Sequence, residues 1–136
     1  MAAFKISPVL ASGCTTVLKP AENTPLSALK LGEIMVEAGL PEGAVNILPG
    51  FGNEAGQAIV DHTDIDKIAF TGSTAVGKGI LRDSSATLKR TSLELGGKSP
   101  NIIMNDADLD LAIGQSNFAC FLNSGQYCMA GTRVFV

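Results

Sequence analysis

The chain has 136 residues, of which 46% are hydrophobic and 17% charged, and its formal net charge is −3 at pH 7. This length and composition are typical of an ordinary folded domain with a sizeable core, and they exclude a disordered or fibrous chain. Nothing in the charge indicates nucleic-acid binding, and no apolar run is long enough to cross a bilayer.

The cysteine content excludes two further classes of protein. The three cysteines, Cys14, Cys120 and Cys128, are an odd and sparse set without C-x-x-C spacing. They match neither a disulfide framework nor a zinc site, so no metal is expected, and free thiols indicate a reducing compartment. The first residues also lack the charged segment and long apolar run of a secretory signal.

The first part of the chain alternates helical patterns with short apolar or β-branched runs. Thr24 before Pro25 predicts a helix with Thr24 as N-cap and proline in the first helical position, and Gly39 predicts the end of that helix. The remaining runs are assigned by their periodicity. They predict helices at 4–13, 25–38, 54–60 and 74–83, and strands at 14–18, 45–48 and 67–70.

The second part continues the alternation of strand and helix. Its predicted elements are strands at 88–95 and 101–104, a helix at 108–122 capped by the segment 106–108, and a strand at 132–136. Strand followed by helix, three times with short connections, predicts βαβ units and an α/β fold on a parallel, Rossmann-like sheet. The glycine pair Gly96-Gly97 predicts a junction between a domain over 1–95 and a second one over 96–136.

A glycine-containing turn, Gly72-Ser73-Thr74, follows the strand predicted at 67–70 and opens a helix. The N–H groups of a helix N-terminus carry partial positive charge and attract phosphate, and Gly72 allows close approach of the backbone. The spacing to Gly77 is G-x-x-x-x-G, which differs from the G-x-G-x-x-G of the common dinucleotide fingerprint. The alternative is a turn that only caps the helix.

Lys19 and Glu22 lie at the carboxyl end of the strand predicted at 14–18, where ligands of parallel sheets bind. Lysine can donate to ribose hydroxyls or phosphate, and glutamate can accept from hydroxyls. The alternative is a solvated pair of loop charges.

Glu94 lies between Leu93 and Leu95 in the strand predicted at 88–95. We expect burial to raise the pKa of its carboxyl, which would prepare it as a general base. The alternative is a solvated glutamate, because alternation along a strand places Glu94 on the face opposite both leucines.

Cys128 lies between Gly125 and Gly131, and glycine on both sides permits a sharp turn that presents the thiol to a substrate. The alternative is a buried cysteine that acts as a small hydrophobic residue. The only histidine, His62, lies in a polar stretch that does not favour a cysteine–histidine dyad. A cysteine with a glutamate suits a nucleophile paired with a base that activates water for a later hydrolysis.

Five segments in the same order resemble the aldehyde dehydrogenase superfamily, and within it the NAD(P)-dependent, hydrolytic members of classes 1 and 2. They read TVLKPAENTPLSAL, GLPEGAVNILPG, KIAFTGSTAVGKGI, LELGGKSPNIIMNDADLD and FLNSGQYCMAGTR. The resemblance covers essentially the whole chain. It implies an NAD-binding domain over 1–95 and the beginning of a catalytic domain over 96–136. Tyr127 departs from the family pattern, which usually has a smaller or non-aromatic side chain before the cysteine.

The resemblance implies a cofactor site. Lys19 and Glu22 match the family's contacts to the adenosine ribose, and Leu95 lies next to the nicotinamide site. The residues that match the pyrophosphate-binding turn and helix start are Gly72, Ser73, Thr74 and Gly77. The implied cofactor is NAD, with NADP possible, and the charge of Glu22 favours NAD because it would repel a 2′-phosphate.

The resemblance also implies the chemistry. Cys128 matches the nucleophile, whose thiolate attacks an aldehyde to give a thiohemiacetal and, after hydride loss to the nicotinamide, a thioester. Glu94 matches the base that activates water to release a carboxylic acid. Glu94 argues against a CoA-acylating relative, in which this glutamate is typically replaced. A non-catalytic alternative, either a nucleotide-binding or crystallin-like descendant or a truncated isoform, stays open.

The strand predicted at 132–136 reaches the last residue, and unpaired strand ends suggest a fragment of a longer protein. By the resemblance, the family's oxyanion-hole asparagine would precede Met1 and the rest of the catalytic domain would follow Val136. We therefore expect the isolated chain to be inactive. The expected parent protein takes an aldehyde substrate, is a homotetramer or homodimer in the cytoplasm or mitochondrial matrix, and binds neither nucleic acid nor membrane.

Overall fold

The computed structural model describes residues 1–136 and contains five α-helices and six short strands. The helices are α1 (Ala2–Ala11), α2 (Leu26–Glu37), α3 (Gln57–Asp61), α4 (Thr74–Ser84) and α5 (Leu109–Phe121). The strands are β1 (Thr16–Leu18), β2 (Val45–Ile47), β3 (Lys67–Thr71), β4 (Arg90–Glu94), β5 (Pro100–Ile102) and β6 (Arg133–Phe135). A π-helical turn precedes α3, and 3₁₀ turns follow α4 and α5. No helix has the length and apolar character that crossing a membrane would require.

The strands form three pairs, and each pair is joined by a helical crossover. β1 and β2 are parallel with Val17 opposite Asn46, and α2 connects them. β5 and β6 are parallel with Asn101 opposite Val134, and α5 connects them. These units confirm the predicted α/β fold of Rossmann-like character, because parallel neighbours need such a crossover.

The third pair, β3 with β4, is connected by α4. At one end the N–H of Arg90 donates to the carbonyl of Asp66, and at the other the N–H of Gly72 donates to the carbonyl of Glu94. The start of one strand is thus bonded to the start of the other, and the end of one to the end of the other, so the two strands are parallel. The second of these bonds ties the glycine turn to the end of β4.

The chain divides into two compact units. Unit 1 comprises Met1–Phe70 and Lys78–Ser92, and unit 2 comprises Thr71–Gly77 and Leu93–Val136. The predicted division into domains over 1–95 and 96–136 stays a prediction.

The ends of α2 correct one expectation and confirm another. Thr24 is not the N-cap: the helix begins at Leu26, Pro25 occupies the cap position, and no side chain caps the helix. The C-terminus ends as predicted at Gly39, whose φ is +85°. There the N–H of Gly39 donates to the carbonyl of Val36 and the N–H of Leu40 to that of Met35. This pair of bonds is the Schellman motif, which requires the left-handed conformation that glycine adopts freely.

Two predicted strands begin two residues later than expected, because their first predicted residues belong to turns. The N–H of Cys14 donates to the carbonyl of Val9 at the end of α1, so β1 begins at Thr16. Leu88 has φ +55° and donates to the carbonyl of Ser85, so β4 begins at Arg90. The predicted cap of α5 is confirmed at Asp108, whose Oδ1 accepts from the N–H of Leu111 at 3.1 Å.

The sizeable core that the composition suggested is not formed within these 136 residues. The buried apolar residues are Ile6, Ala28, Val60, Ile68 and Ala130. The apolar residues of α5 are exposed instead, with Phe118 at 61% and Phe121 at 68%. Two-stranded pairs offer little surface for a helix to pack against, so most large apolar side chains stay uncovered by this chain.

Candidate active site

In unit 1, Lys19 directly follows β1 and Glu22 lies three residues later. The Lys19 ammonium donates to the carbonyls of Pro20 at 2.7 Å and Gly50 at 3.2 Å, and lies 3.6 Å from the Glu22 carboxylate. Its side chain is 17% exposed, whereas that of Glu22 is 46% exposed. Two hydrogen bonds to carbonyls and an ion pair with Glu22 therefore hold the ammonium group at the carboxyl end of the strand.

The Glu22 carboxylate is poised as a hydrogen-bond acceptor. Its own backbone N–H and then the Lys19 ammonium hold the pKa of this carboxyl below its usual value. Stabilisation of the charged form by hydrogen bonds and a nearby cation explains the direction. The side chain is therefore ionised at neutral pH, and no other side chain covers it enough to prevent contact with a ligand.

In unit 2, the glycine turn Gly72-Ser73-Thr74 caps α4, as the alternative interpretation of this turn predicted. Ser73 Oγ accepts from the N–H of Val76 at 3.3 Å, and the Ser73 carbonyl accepts from the N–H of Gly77 at 3.0 Å. The N–H groups of Thr74 and Ala75, in the first turn, have no partner within the helix. Capping and anion binding are therefore compatible here. Ser73 accepts hydrogen bonds from the N–H groups of Val76 and Gly77, while those of Thr74 and Ala75 can donate to an anion.

Gly77 is buried, and the side chain of Leu95 occupies the space beside it. A Cβ atom at Gly77 would lie 2.6 Å from Leu95 Cδ2 and 3.1 Å from Cδ1. The glycine therefore serves close packing of the helix start against the residue that follows β4. This contact links two of the residues predicted to bind the cofactor, Gly77 in α4 and Leu95.

We expect Gly77→Ala to destabilise the protein by about 1–3 kcal/mol, the usual cost of overpacking. The matched control is Gly79→Ala in the same helix, since a Cβ at Gly79 meets nothing within 4 Å. That substitution should stabilise by about 0.5–1 kcal/mol, because alanine loses less backbone entropy than glycine. Urea unfolding of the whole protein measures both. If the clash is the cause, adding Leu95→Ala should recover part of the Gly77→Ala loss, and equal stability of the two alanine variants would contradict this account.

Glu94, at the end of β4, is exposed, so the expectation that it is buried is wrong. Burial alternates along β4, with Leu93 half-buried and Glu94 on the opposite, exposed face. This agrees with the alternative prediction of a solvated glutamate. Its backbone carbonyl is tied to the glycine turn through the N–H of Gly72 at 3.1 Å. The carboxylate is therefore accessible, on a backbone that hydrogen bonds hold in place.

Cys128 is exposed, which excludes a buried cysteine. It lies on the cysteine loop, residues 122–132, which leaves α5 and leads into β6. The far end of this loop is anchored: the N–H of Gly131 donates to the carbonyl of Ala119 in α5 at 3.0 Å, and Ala130 is 4% exposed. The half-buried Tyr127 precedes the thiol. The loop is thus buried at its C-terminal end, Ala130 and Gly131, and exposed at Cys128, which forms the loop tip.

The backbone of Cys128 packs against the segment that follows β4. The Cys128 carbonyl accepts from Ser99 Oγ at 3.5 Å, and a Cβ at Gly97 would lie 3.4 Å from the same carbonyl oxygen. Arg133, just after the loop, donates from Nε to the carbonyl of Lys98 at 2.7 Å. Unit 2 therefore brings the nucleophile candidate and the continuation of the Glu94 strand together.

The near end of the cysteine loop is a turn that sequence reasoning missed. Asn123 and Ser124 have φ of +53° and +59°, and Gly125 has φ of +71°. Left-handed backbone costs about 1–2 kcal/mol for an ordinary residue, so two such residues in succession need compensation. The composition Asn-Ser-Gly was the available signal, because asparagine and glycine are the residues that favour this conformation.

The other candidates outside this site have ordinary surroundings. His62 is exposed, and its Nδ1 accepts from the N–H of Asp64 at 3.2 Å. Cys14 is exposed and Cys120 is half-buried. No cluster of three or more histidine, cysteine or acidic side chains suits a metal ion.

A sequence model described as the aldehyde dehydrogenase family matches residues 1–136. The chain belongs to the aldehyde dehydrogenase family. Among curated relatives, human mitochondrial aldehyde dehydrogenase is 57% identical over 137 residues, which cover 100% of this chain and 26% of that protein. Human retinal dehydrogenase 2 is 59% identical over 137 residues, with the same coverage of both chains.

Solved structures agree with this membership. The NAD⁺ complex of an aldehyde dehydrogenase from Bacillus cereus matches with a TM-score of 0.97 and 58% identity, over 100% of this chain and 28% of that one. The chain thus spans about a quarter of the length of the relatives it matches. The similarity fixes the family and the Rossmann-like fold, while the roles of the individual site residues stay predictions.

Proposed function

We propose that the protein containing this chain oxidises an aldehyde to a carboxylic acid, with NAD as cofactor, through a thioester on Cys128. The observation that supports this most is the exposed Cys128 thiol on an anchored loop whose backbone packs beside the continuation of the Glu94 strand. A nucleophile and an accessible carboxylate in one unit are the two groups that such a reaction requires.

The residues present fit a dinucleotide. In unit 2, the glycine turn offers N–H groups at the start of α4, and Gly77 keeps the helix close to Leu95, as the cradle of a pyrophosphate requires. In unit 1, the ionised Glu22 can accept from ribose hydroxyls, and Lys19 can donate in place of a carbonyl contact. NAD, when bound, supplies the acceptor for the substrate hydride.

In the proposed mechanism, the Cys128 thiolate forms a bond to the aldehyde carbon while the carbonyl π bond opens onto its oxygen, which gives a thiohemiacetal anion. With NAD bound to accept it, the hydride would leave this carbon as the carbonyl re-forms, and the acyl group would remain on Cys128 as a thioester. Glu94 then takes a proton from a water molecule, whose oxygen bonds to the acyl carbon and displaces the Cys128 thiolate. The released carboxylic acid completes the cycle, and the exposure of Glu94 allows that proton to pass to solvent.

We propose NAD rather than NADP because of the charge at Glu22. An ionised carboxylate at the ribose would repel a 2′-phosphate, and the contacts that lower the pKa of Glu22 favour its charged form. The complexes of two solved relatives with NAD, from Bacillus cereus and for the protein PnpE, support this choice.

The remaining properties of the whole protein are proposed from the family resemblance. The substrate is an aldehyde, and the protein is a homotetramer or homodimer. Its compartment is the cytoplasm or the mitochondrial matrix, and the human mitochondrial relative supports the latter.

The test is to purify the whole protein and, separately, the 136-residue chain, and to assay both with propanal and either NAD or NADP. We expect the whole protein to form propanoic acid and NADH, with a higher kcat/KM for NAD than for NADP. The isolated chain should be inactive, because it has only about a quarter of the length of active relatives. Nucleotide binding without acid formation by the whole protein would instead favour the non-catalytic alternative, and a preference for NADP would refute the role of Glu22.

A further inference from the structure

The entry to the cysteine loop depends on one asparagine. Asn123 begins the left-handed turn, and asparagine is the residue other than glycine that tolerates this conformation best. Asn123 Nδ2 donates to the carbonyl of Gln126 at 3.1 Å, and the N–H of Gln126 donates to the carbonyl of Asn123 at 3.1 Å. The same residue therefore closes the turn twice, once through its side chain and once through its backbone.

The far end of the loop is fixed without Asn123. Gly131 is buried and bonded to Ala119, and a Cβ at Gly131 would lie 3.4 Å from the Cβ of Asn101. Between these two ends, the carbonyl of Cys128 has one side-chain partner, the Ser99 hydroxyl, at the long distance of 3.5 Å. With the far end anchored, the turn at Asn123 contributes to the direction of the tip, together with the Ser99 contact and the bond from the N–H of Ala130 to the carbonyl of Tyr127 at 3.2 Å.

We propose that Asn123 is a positioning residue for the Cys128 thiol, holding the left-handed turn that aims the loop tip at the substrate. This inference rests on the proposed role of Cys128 as nucleophile. Asn123 lies five residues before the cysteine and acts through the backbone of 123–126. Correct orientation of a nucleophile lowers the barrier because the entropy of alignment is lost before the reaction begins. A loosened turn therefore reduces turnover more than it reduces binding.

Three substitutions in the whole protein separate the two contributions of Asn123. Asn123→Ala removes both the amide donor and the tolerance of left-handed backbone. Asn123→Gly restores the backbone freedom without the amide, and Asn123→Asp keeps the tolerance but replaces the donor with an acceptor facing the Gln126 carbonyl. The matched control is Asn117→Ala in α5, an exposed asparagine whose Nδ2 donates to the carbonyl of Ile113 at 3.4 Å.

We expect Asn123→Ala to lower kcat about tenfold, with the KM for aldehyde and for NAD changed less than about twofold. Asn123→Gly should lie between this variant and the wild type, Asn123→Asp should also be impaired, and Asn117→Ala should be unchanged. Hydrogen exchange at the Gln126 amide should become faster in Asn123→Ala, while exchange in α5 stays as it is. If Asn123→Ala does not fold, the kcat values of Asn123→Gly and Asn123→Asp decide the question.

Two results would overturn the inference. One is a wild-type kcat in Asn123→Ala, or in both of the other variants, despite faster exchange at Gln126, which would make the turn merely structural. The other is a kcat for Asn123→Gly as low as that for Asn123→Ala, which would remove the backbone argument. Failure of the proposed function is distinguishable, because it would appear as activity retained without the Cys128 thiol, whatever the Asn123 variants do.

Discussion

Cys128→Ser is expected to reduce aldehyde oxidation by the whole protein by about 10⁴-fold or more, the usual effect of removing a covalent nucleophile. Serine keeps the shape of the loop tip, but its hydroxyl is far less ionised than a thiol at neutral pH and attacks a carbonyl poorly. Because Cys128 is exposed on a loop anchored elsewhere, the substitution should leave folding and NAD binding intact. Steady-state NADH formation and NAD binding by calorimetry measure the two properties.

The control for this substitution is Cys14→Ser. Cys14 is also exposed, and its sulfur accepts a hydrogen bond from Ser12 Oγ at 3.4 Å. We expect this variant to keep wild-type activity. A Cys128→Ser protein that still oxidises aldehydes at a comparable rate would remove the nucleophile from the proposal, whereas loss of activity in both variants would indicate a general sensitivity to thiol removal.

Glu94→Gln is expected to lower kcat by about 10²–10⁴-fold, the range usual for loss of a general base. The amide keeps the size of the side chain but cannot take a proton from water, so hydrolysis of the thioester becomes the slow step. Acylation of Cys128 does not need this proton transfer. Rapid-mixing experiments should therefore show a first turnover of NADH at nearly the wild-type rate, followed by a much slower steady state.

A suitable control is Glu42→Gln, at an exposed glutamate in the turn before β2. This variant should show wild-type rates in both phases. The assignment of Glu94 as the base would be wrong if Glu94→Gln lost the first turnover as well, because the residue would then be needed before the thioester exists. It would also be wrong if the steady state were unchanged.

The strand and helix pattern could be predicted from sequence because it depends on local chemistry. The β-branched run at β1, the apolar run at β3, the cap at Asp108 and the glycine after α2 each act within a few residues, and the structure contains all of them. Where two local preferences competed, the prediction was wrong. Thr24 is a favoured cap residue, yet Pro25 occupies the cap position, because the first helical bond runs from the N–H of Leu29 to the carbonyl of Pro25.

The environment of Glu94 could not be predicted with the same certainty, because burial depends on what covers a face of a strand. Alternation placed Glu94 on the face opposite to Leu93, but only the fold shows that this face is open. The fate of the apolar residues is a similar case. The composition predicted a sizeable core, yet Phe118 and Phe121 of α5 are exposed because no other part of this chain packs on them.

The turn at Asn123 shows a different limit. Asparagine, serine and glycine are common in turns of every hand, so the composition marks a turn without giving its φ angles. The left-handed run becomes visible only with the backbone in place, together with the reciprocal bonds between Asn123 and Gln126. The sequence motif predicted Cys128 as the nucleophile, and the structure shows the backbone turn that precedes it.

The central claim, that Cys128 carries the acyl group, is tested most directly by trapping that group. The Glu94→Gln protein is mixed with propanal and NAD, quenched in acid after one turnover, and digested for peptide mass spectrometry. We predict a propanoyl mass increase on the peptide that contains Cys128, and none on the peptides of Cys14 or Cys120. An acyl group on another residue, or a full turnover of NADH with no acylated peptide, would contradict the account.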